Sequence, residues 1–160
     1  SAAFAGLLTA LASLSYAFSA SQVGRLAGRY PTEVPPLVGA NVALIVGSVA
    51  FFGSPTVWVA VVGVILLGVG FGVALTMYRS VITSLAPPQL RGGYVSIAES
   101  GGRAAATVTP VAVGGAVAIG APVLGFGAAV QTAGALVGTT GGIIGLLALV
   151  AVTRIELRRY

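Results

Sequence analysis

The sequence predicts an all-α, polytopic transmembrane bundle of five helices, and three observations predict it. Of its residues, 57% are hydrophobic and only 7% are charged, whereas a soluble domain carries about 25% charged residues. A chain so poor in charge has no means of covering a water-facing surface, and its mean hydropathy of +1.05 points to lipid as its solvent. The second observation is length: the apolar stretches each approach the roughly 20 residues that cross a hydrocarbon core. The third is charge asymmetry. With five stretches drawn through a bilayer, Arg25, Arg29, Arg79, Arg91, Arg103, Arg154, Arg158 and Arg159 all fall at one face. The connections at the other face, Gly53 to Thr56 and Gly120 to Pro122, carry no charge. This is the positive-inside pattern. It places Ser1 outside and the C-terminus at Tyr160 in the cytoplasm of a cell (inner or plasma) membrane.

Each element follows from the pattern in order. Helix one runs from Ala2 to about Gln22 and ends at Gly24-Arg25-Leu26-Ala27-Gly28-Arg29-Tyr30. Helix two runs from Pro36 to about Phe52, and helix three from Pro55 to about Tyr78. Helix four runs from about Gly93 to Ile119, and helix five from Pro122 to about Val152. Pro36, Pro55 and Pro122 stand where first turns begin, a position that suits proline because the N–H it lacks would be unpaired there. Ser54 is the expected N-cap of helix three. The turns at Gly53-Ser54-Pro55 and Gly120-Ala121-Pro122 are long enough only for hairpins, so residues 1–160 read as a single bundle. An outside N-terminus with no signal segment before it further implies at least one helix upstream, and hence a piece of a longer protein.

Composition also excludes. There is no Cys and no His, and the acids are Glu33, Glu99 and Glu156. Thiolate and imidazole metal sites are therefore ruled out, as are Ser-His-Asp and Cys-His constellations. No metal, no cofactor and no enzymatic activity is expected. The net charge of +5 and a pI near 10.5 would suggest nucleic acid in a soluble protein. Here the arginines lie beside the bilayer and no basic run interleaves with aromatics, so no nucleic-acid partner is expected. The run Gly68-Val69-Gly70-Phe71-Gly72 lacks the spacing of a nucleotide loop and sits mid-span.

The string Gly24 to Tyr30 resembles motif A of the major facilitator superfamily (MFS), glycine-x-leucine-alanine-aspartate-arginine. The match is carried by Gly24, Leu26, Ala27 and Arg29, with Gly28 in place of the acid. The missing acid puts a charge relay through that position in doubt, and a simpler alternative is a tight turn with topology-setting arginines. A second region is similar to the tenth-to-eleventh helix region of the family. There Pro87, Pro88, Arg91 and Gly92 are followed by Ser96, Glu99, Arg103, Thr107, Pro110 and Gly114. It also partly resembles the antiporter motif C, with Thr109 where a glycine would stand and Gly114-Gly115 one residue late. The resemblance implies helices eight to twelve of a transporter, with the N-terminal half as the missing partner. It implies alternating-access transport of a small solute, probed first as efflux of an apolar or weakly polar compound.

Several residues carry two readings each. Glu99 and Arg103 have the favourable i, i+4 order; with Arg91 they form a cytoplasmic gate or latch, or a local pair that neutralises charge near the headgroups. Gly68 and Gly72 form a GxxxG pair, as do Gly134 and Gly138, and Gly138 and Gly142; such spacing lets helices approach closely, or lets a helix bend. Pro110 removes a hydrogen bond and is expected to kink helix four, as a feature of a cavity or as tolerated strain. Ser15, Tyr16, Thr107 and Thr109 are the substrate-cavity candidates, whereas Asn41 and Gln131 fall on helices that the resemblance makes peripheral. A different class of function stays open: a membrane scaffold or subunit that associates through the glycine stripe of helix five.

Overall fold

The computed structural model describes residues 2–54 and 56–157, with only the backbone described for 2, 152 and 155–157. These residues form five helices: α1 (Ala2–Arg29), α2 (Val34–Gly53), α3 (Val57–Leu85), α4 (Arg91–Leu124) and α5 (Phe126–Leu157). All five are long and apolar enough to cross a membrane. Pro55 and residues 158–160 lie outside the described residues, and with them the expected first-turn role of Pro55 and the arginines of the tail.

The helices outrun the apolar stretches that announce them. The first continues through Gly24, Leu26, Gly28 and Arg29, so the motif A-like segment is the last two turns of α1 rather than a loop. The third continues past Tyr78 to Leu85 and stops at Ala86, which is extended at φ −75°, ψ 136°. Ala86 precedes Pro87, and a residue before proline is pushed out of the helical region. The fourth begins two residues before the expected Gly93 and passes through both Pro110 and Pro122. The expected turn at Gly120 to Pro122 is therefore displaced to Gly125, whose φ of +80° only glycine adopts without strain. The Gly125 amide donates to the Ala121 carbonyl at 2.9 Å, and the Gly125 carbonyl accepts from Ala129 at 3.0 Å. One residue thus connects α4 to α5. At the other hairpin, α3 takes Thr56 rather than Ser54 as its N-cap. The Ser54 hydroxyl instead accepts the Thr56 amide at 3.1 Å, closing the turn.

Packing centres on α3, which lies against α1 and α2, while α2 reaches across to α5 and α5 to α4. Buried side chains concentrate at the arginine-bearing end, where Val23, Leu37, Ala40, Val73, Ala74, Met77 and Leu149 form one cluster. Elsewhere the surface is apolar: Trp58 is 81% exposed and Val123 85%. A water-soluble monomer rarely presents so much contiguous apolar surface, whereas a bilayer accepts it. The outlier is α4, which buries none of its residues.

Candidate functional site

Glycine sets how closely the helices approach. A Cβ at Gly68 would lie 2.5 Å from the Ala12 carbonyl oxygen and 2.7 Å from Ser15 Cβ. One at Gly72 would lie 2.5 Å from the Tyr16 carbonyl and run into the Ser19 hydroxyl. Both glycines therefore let α1 rest on the backbone of α3. Gly63 and Gly47 do the same between α3 and α2, where each Cβ would stand 2.9 Å from the other residue's carbonyl oxygen. On α5, Gly134 faces the Phe52 ring, Gly138 the Ser48 side chain and Gly142 the Ile45 side chain, with the Asn41 carbonyl 3.2 Å from a Cβ at Gly142. The glycine stripe of α5 is thus occupied by α2 of the same chain, which removes it as the free interface that a scaffold would need.

Against this tightly packed part, α3 and α4 touch sparingly and leave space between them. A cavity of about 660 Å³ is bounded by α2, α3, α4 and α5. Its wall is mostly aliphatic and glycine, with Phe52 and Phe71, and its polar side chains are Asn41, Ser48, Tyr78 and Thr109. Most of that polarity is already committed. Ser48 donates to the Leu44 carbonyl at 2.7 Å. Asn41, 2% exposed, donates to the Leu37 carbonyl at 2.8 Å and to the Tyr78 hydroxyl at 2.9 Å. Tyr78 in turn donates to the Gly145 carbonyl at 3.3 Å. This relay ties α2, α3 and α5 together, and it has room because Gly145 lacks the Cβ that would collide with the Asn41 amide oxygen. Buried amides need partners in an apolar interior, and here the partner comes from another helix.

A second cleft, about 370 Å³, lies nearer the arginine-bearing end between α3 and α4. It shares Leu75 and Tyr78 with the larger cavity and adds Arg79, Glu99 and Arg103. Glu99 pairs across the helices with Arg79 at 2.8 Å. That corrects the expected Glu99–Arg103 pair: the carboxylate reaches α3 rather than its own next turn. Arg103 has no ion-pair or side-chain hydrogen-bond partner among the described residues, and its carbonyl accepts the Thr107 hydroxyl at 3.0 Å. Arg91 contacts the Ala86 carbonyl at 3.4 Å and so braces the turn before α4. Glu33 accepts the Ser80 hydroxyl at 3.0 Å, which ties the α1–α2 connection to α3.

Of the cavity candidates, Thr109 lies in the wall of the large cavity. Thr107 is turned onto its own backbone, Ser15 lies half-buried at the α1–α3 contact, and α1, which carries Tyr16, contributes nothing to that wall. Hydroxyls in helices readily bond carbonyls three or four residues back, as Ser13, Ser19 and Thr76 also do. The sequence reading missed Asn41 by treating α2 as peripheral. The available signal was a lone amide inside an uncharged span, which demands a partner. At the motif A-like end, Gly24 and Gly28 meet nothing within 4 Å, while Leu26 packs on the core cluster and Arg25 donates to Gln22 at 2.9 Å.

No curated protein and no solved structure matches this chain. The family model of the Major Facilitator Superfamily does, over residues 1–159. Five apolar helices, arginines gathered at one end, and a match spanning nearly the whole sequence lead to one conclusion: this multi-pass membrane protein belongs to the Major Facilitator Superfamily, whose members are solute transporters and not enzymes.

Proposed function

We propose that the protein moves a small solute by alternating access, as an efflux-type transporter, with the large cavity as its share of the substrate path. The observation that carries this reading is the uneven packing around that cavity. Glycines seat α1 and α2 on the backbone of α3 and let α5 close on the side chains of α2, whereas α4 forms one wall without burying a residue. Alternating access needs rigid groups of helices that rock about a midplane site, and a stiff group bordering a loosely held wall suits that motion. The exposed outer side of α4 is where the helices of an N-terminal half would complete the enclosure. The arginines at one end of the bundle support a cytoplasmic C-terminus. Lipid is the surrounding partner, and no cofactor is required.

The test is flux. Inside-out vesicles from cells that express the protein, energised and given an apolar fluorescent dye in the medium, should accumulate dye faster than vector vesicles. A Val113→Trp variant, which fills the cavity, should slow that uptake at equal expression. Equal rates in all three preparations across a panel of apolar and weakly polar dyes would remove the efflux reading.

A further inference from the structure

We propose that the groove between α3 and α4 takes an amphiphilic organic anion as substrate. Arg103 holds its single carboxylate or phosphate, and its apolar body enters the large cavity. The proposal rests on the transport reading above and names its substrate class.

The argument starts from continuity. The cleft and the cavity share Leu75 and Tyr78 on α3. On α4 their walls include Glu99, Arg103, Ala106, Thr109 and Val113, which recur every three or four residues and so share one face of the helix. The two spaces are therefore one groove along a single helix seam, charged at one end and apolar at the other. Their volumes, about 370 and 660 Å³, each fall within the size of a drug-like ligand site, which spans about 300 to 1,000 Å³.

Charge then selects the ligand. Among the described residues, the charged side chains of the groove are Arg79, Glu99 and Arg103. The first two neutralise each other at 2.8 Å, so the groove keeps one net positive charge, on Arg103. That residue lies one turn beyond Glu99 toward the apolar end, about 6 Å along the axis, and α4 carries no further charge from there to Leu124. An arginine at the edge of an apolar span is costly when unpaired and marks a ligand path. Its planar guanidinium fits a carboxylate or phosphate with two parallel hydrogen bonds. Beyond it, the amide of Asn41 and the hydroxyls of Ser48 and Tyr78 already donate to protein partners. Apart from the Thr109 hydroxyl, the rest of the far wall is aliphatic, aromatic and glycine, so that end accommodates hydrocarbon rather than a second charge. A cation is disfavoured, because the acid in reach is already taken by Arg79.

The probe is radiolabelled dodecanoate, bound to the purified protein in phosphatidylcholine nanodiscs, with protein-free discs as the blank. Saturable one-site binding is expected. Arg103→Gln should weaken it about ten-fold or more, Arg103→Lys should restore most of it, and Arg25→Gln should leave it unchanged. Val113→Trp should lower it with Arg103 intact, and helix content by circular dichroism should match in every variant. Equal binding by Arg103→Gln, or competition by dodecyltrimethylammonium as strong as by unlabelled dodecanoate, overturns the proposal. So does phosphatidylglycerol that displaces dodecanoate and stays bound in native mass spectra in an Arg103-dependent way, since the site would then serve a bilayer lipid. Failure of the transport reading shows differently: Arg103-dependent binding without flux of any solute keeps the anion site and removes the carrier. Dye flux without dodecanoate binding does the reverse.

Discussion

Gly68→Ala isolates what the glycine contacts contribute. The added methyl would lie 2.5 Å from the Ala12 carbonyl oxygen, where ordinary contact begins at 3.4 Å, and the obstacle is α1 backbone rather than a side chain that can swing away. The helix must therefore retreat by roughly 0.9 Å along its contact with α3, and overpacking of this kind costs about 1–3 kcal/mol. Alanine also favours helix over glycine by about 1 kcal/mol in water. A membrane helix, however, stays helical when the bundle comes apart in detergent, so this gain is nearly the same on both sides of the equilibrium and cancels. The control is Gly141→Ala, on α5, where a Cβ meets nothing within 4 Å. Unfolding of the purified protein by sodium dodecyl sulfate in mixed micelles, followed by near-ultraviolet circular dichroism as a probe of tertiary packing, should show Gly68→Ala destabilised by about 1–3 kcal/mol. Gly141→Ala should stay within about 0.5 kcal/mol of wild type. Equal stabilities for the two variants would mean that α1 is not seated on α3 at Gly68.

Three further outcomes follow from the same packing. Tyr78→Phe removes the hydroxyl that joins Asn41 to the Gly145 carbonyl; the same titration should register a loss of about 0.6 kcal/mol, rising to at most about 1.7, and an unchanged midpoint would count against the relay. Gly125→Ala forces a side chain into φ +80°, ψ 152°, a region nearly reserved for glycine, and should cost about 1–3 kcal/mol; a neutral result would place the α4–α5 turn elsewhere. The chain has no cysteine, so single cysteines report topology cleanly. An impermeant maleimide on intact cells should label Ser54→Cys and spare Ser84→Cys, and the opposite pattern would invert the orientation.

The order and number of the helices are legible because hydropathy and charge act together: each apolar span is bounded by an arginine or a proline. Their ends are not legible from the same signal, because charge ends an apolar stretch without ending a helix. Arg79 closes the third span, yet α3 continues to Leu85, since nothing stops its hydrogen bonding until Pro87 restricts Ala86. Gly125 shows the converse. Pro122 looks like the start of a helix, but a proline near the end of a helix forfeits only one bond, whereas the reversal needs a positive φ that glycine supplies. The groove was half legible. Thr109, Glu99 and Arg103 stand on it as residue types in a helix that enters from a basic loop. Which acid meets which base, and that Asn41 meets Tyr78, depend on packing between helices far apart in sequence.

The choice that Glu99 makes bears on how firmly α4 is held. Two guanidinium groups lie near it, Arg103 one turn away on its own helix and Arg79 across the groove, and it pairs with Arg79. A local i, i+4 pair is worth about 0.3–0.5 kcal/mol and an exposed pair between elements about 0.2–1 kcal/mol. With side chains 66% and 39% exposed, the bridge to Arg79 belongs to the weak class. A contact of that size orients α4 without locking it, which agrees with a helix that buries no residue of its own. A double-mutant cycle over Arg79→Gln and Glu99→Gln, read by the same detergent titration, should therefore return a coupling of about 0.2–1 kcal/mol. The value should fall as salt is added, because an exposed pair is screened. A salt-independent coupling above about 2 kcal/mol would place the pair out of solvent, and α4 would then be clamped to α3 rather than standing as the loosely held wall of the groove.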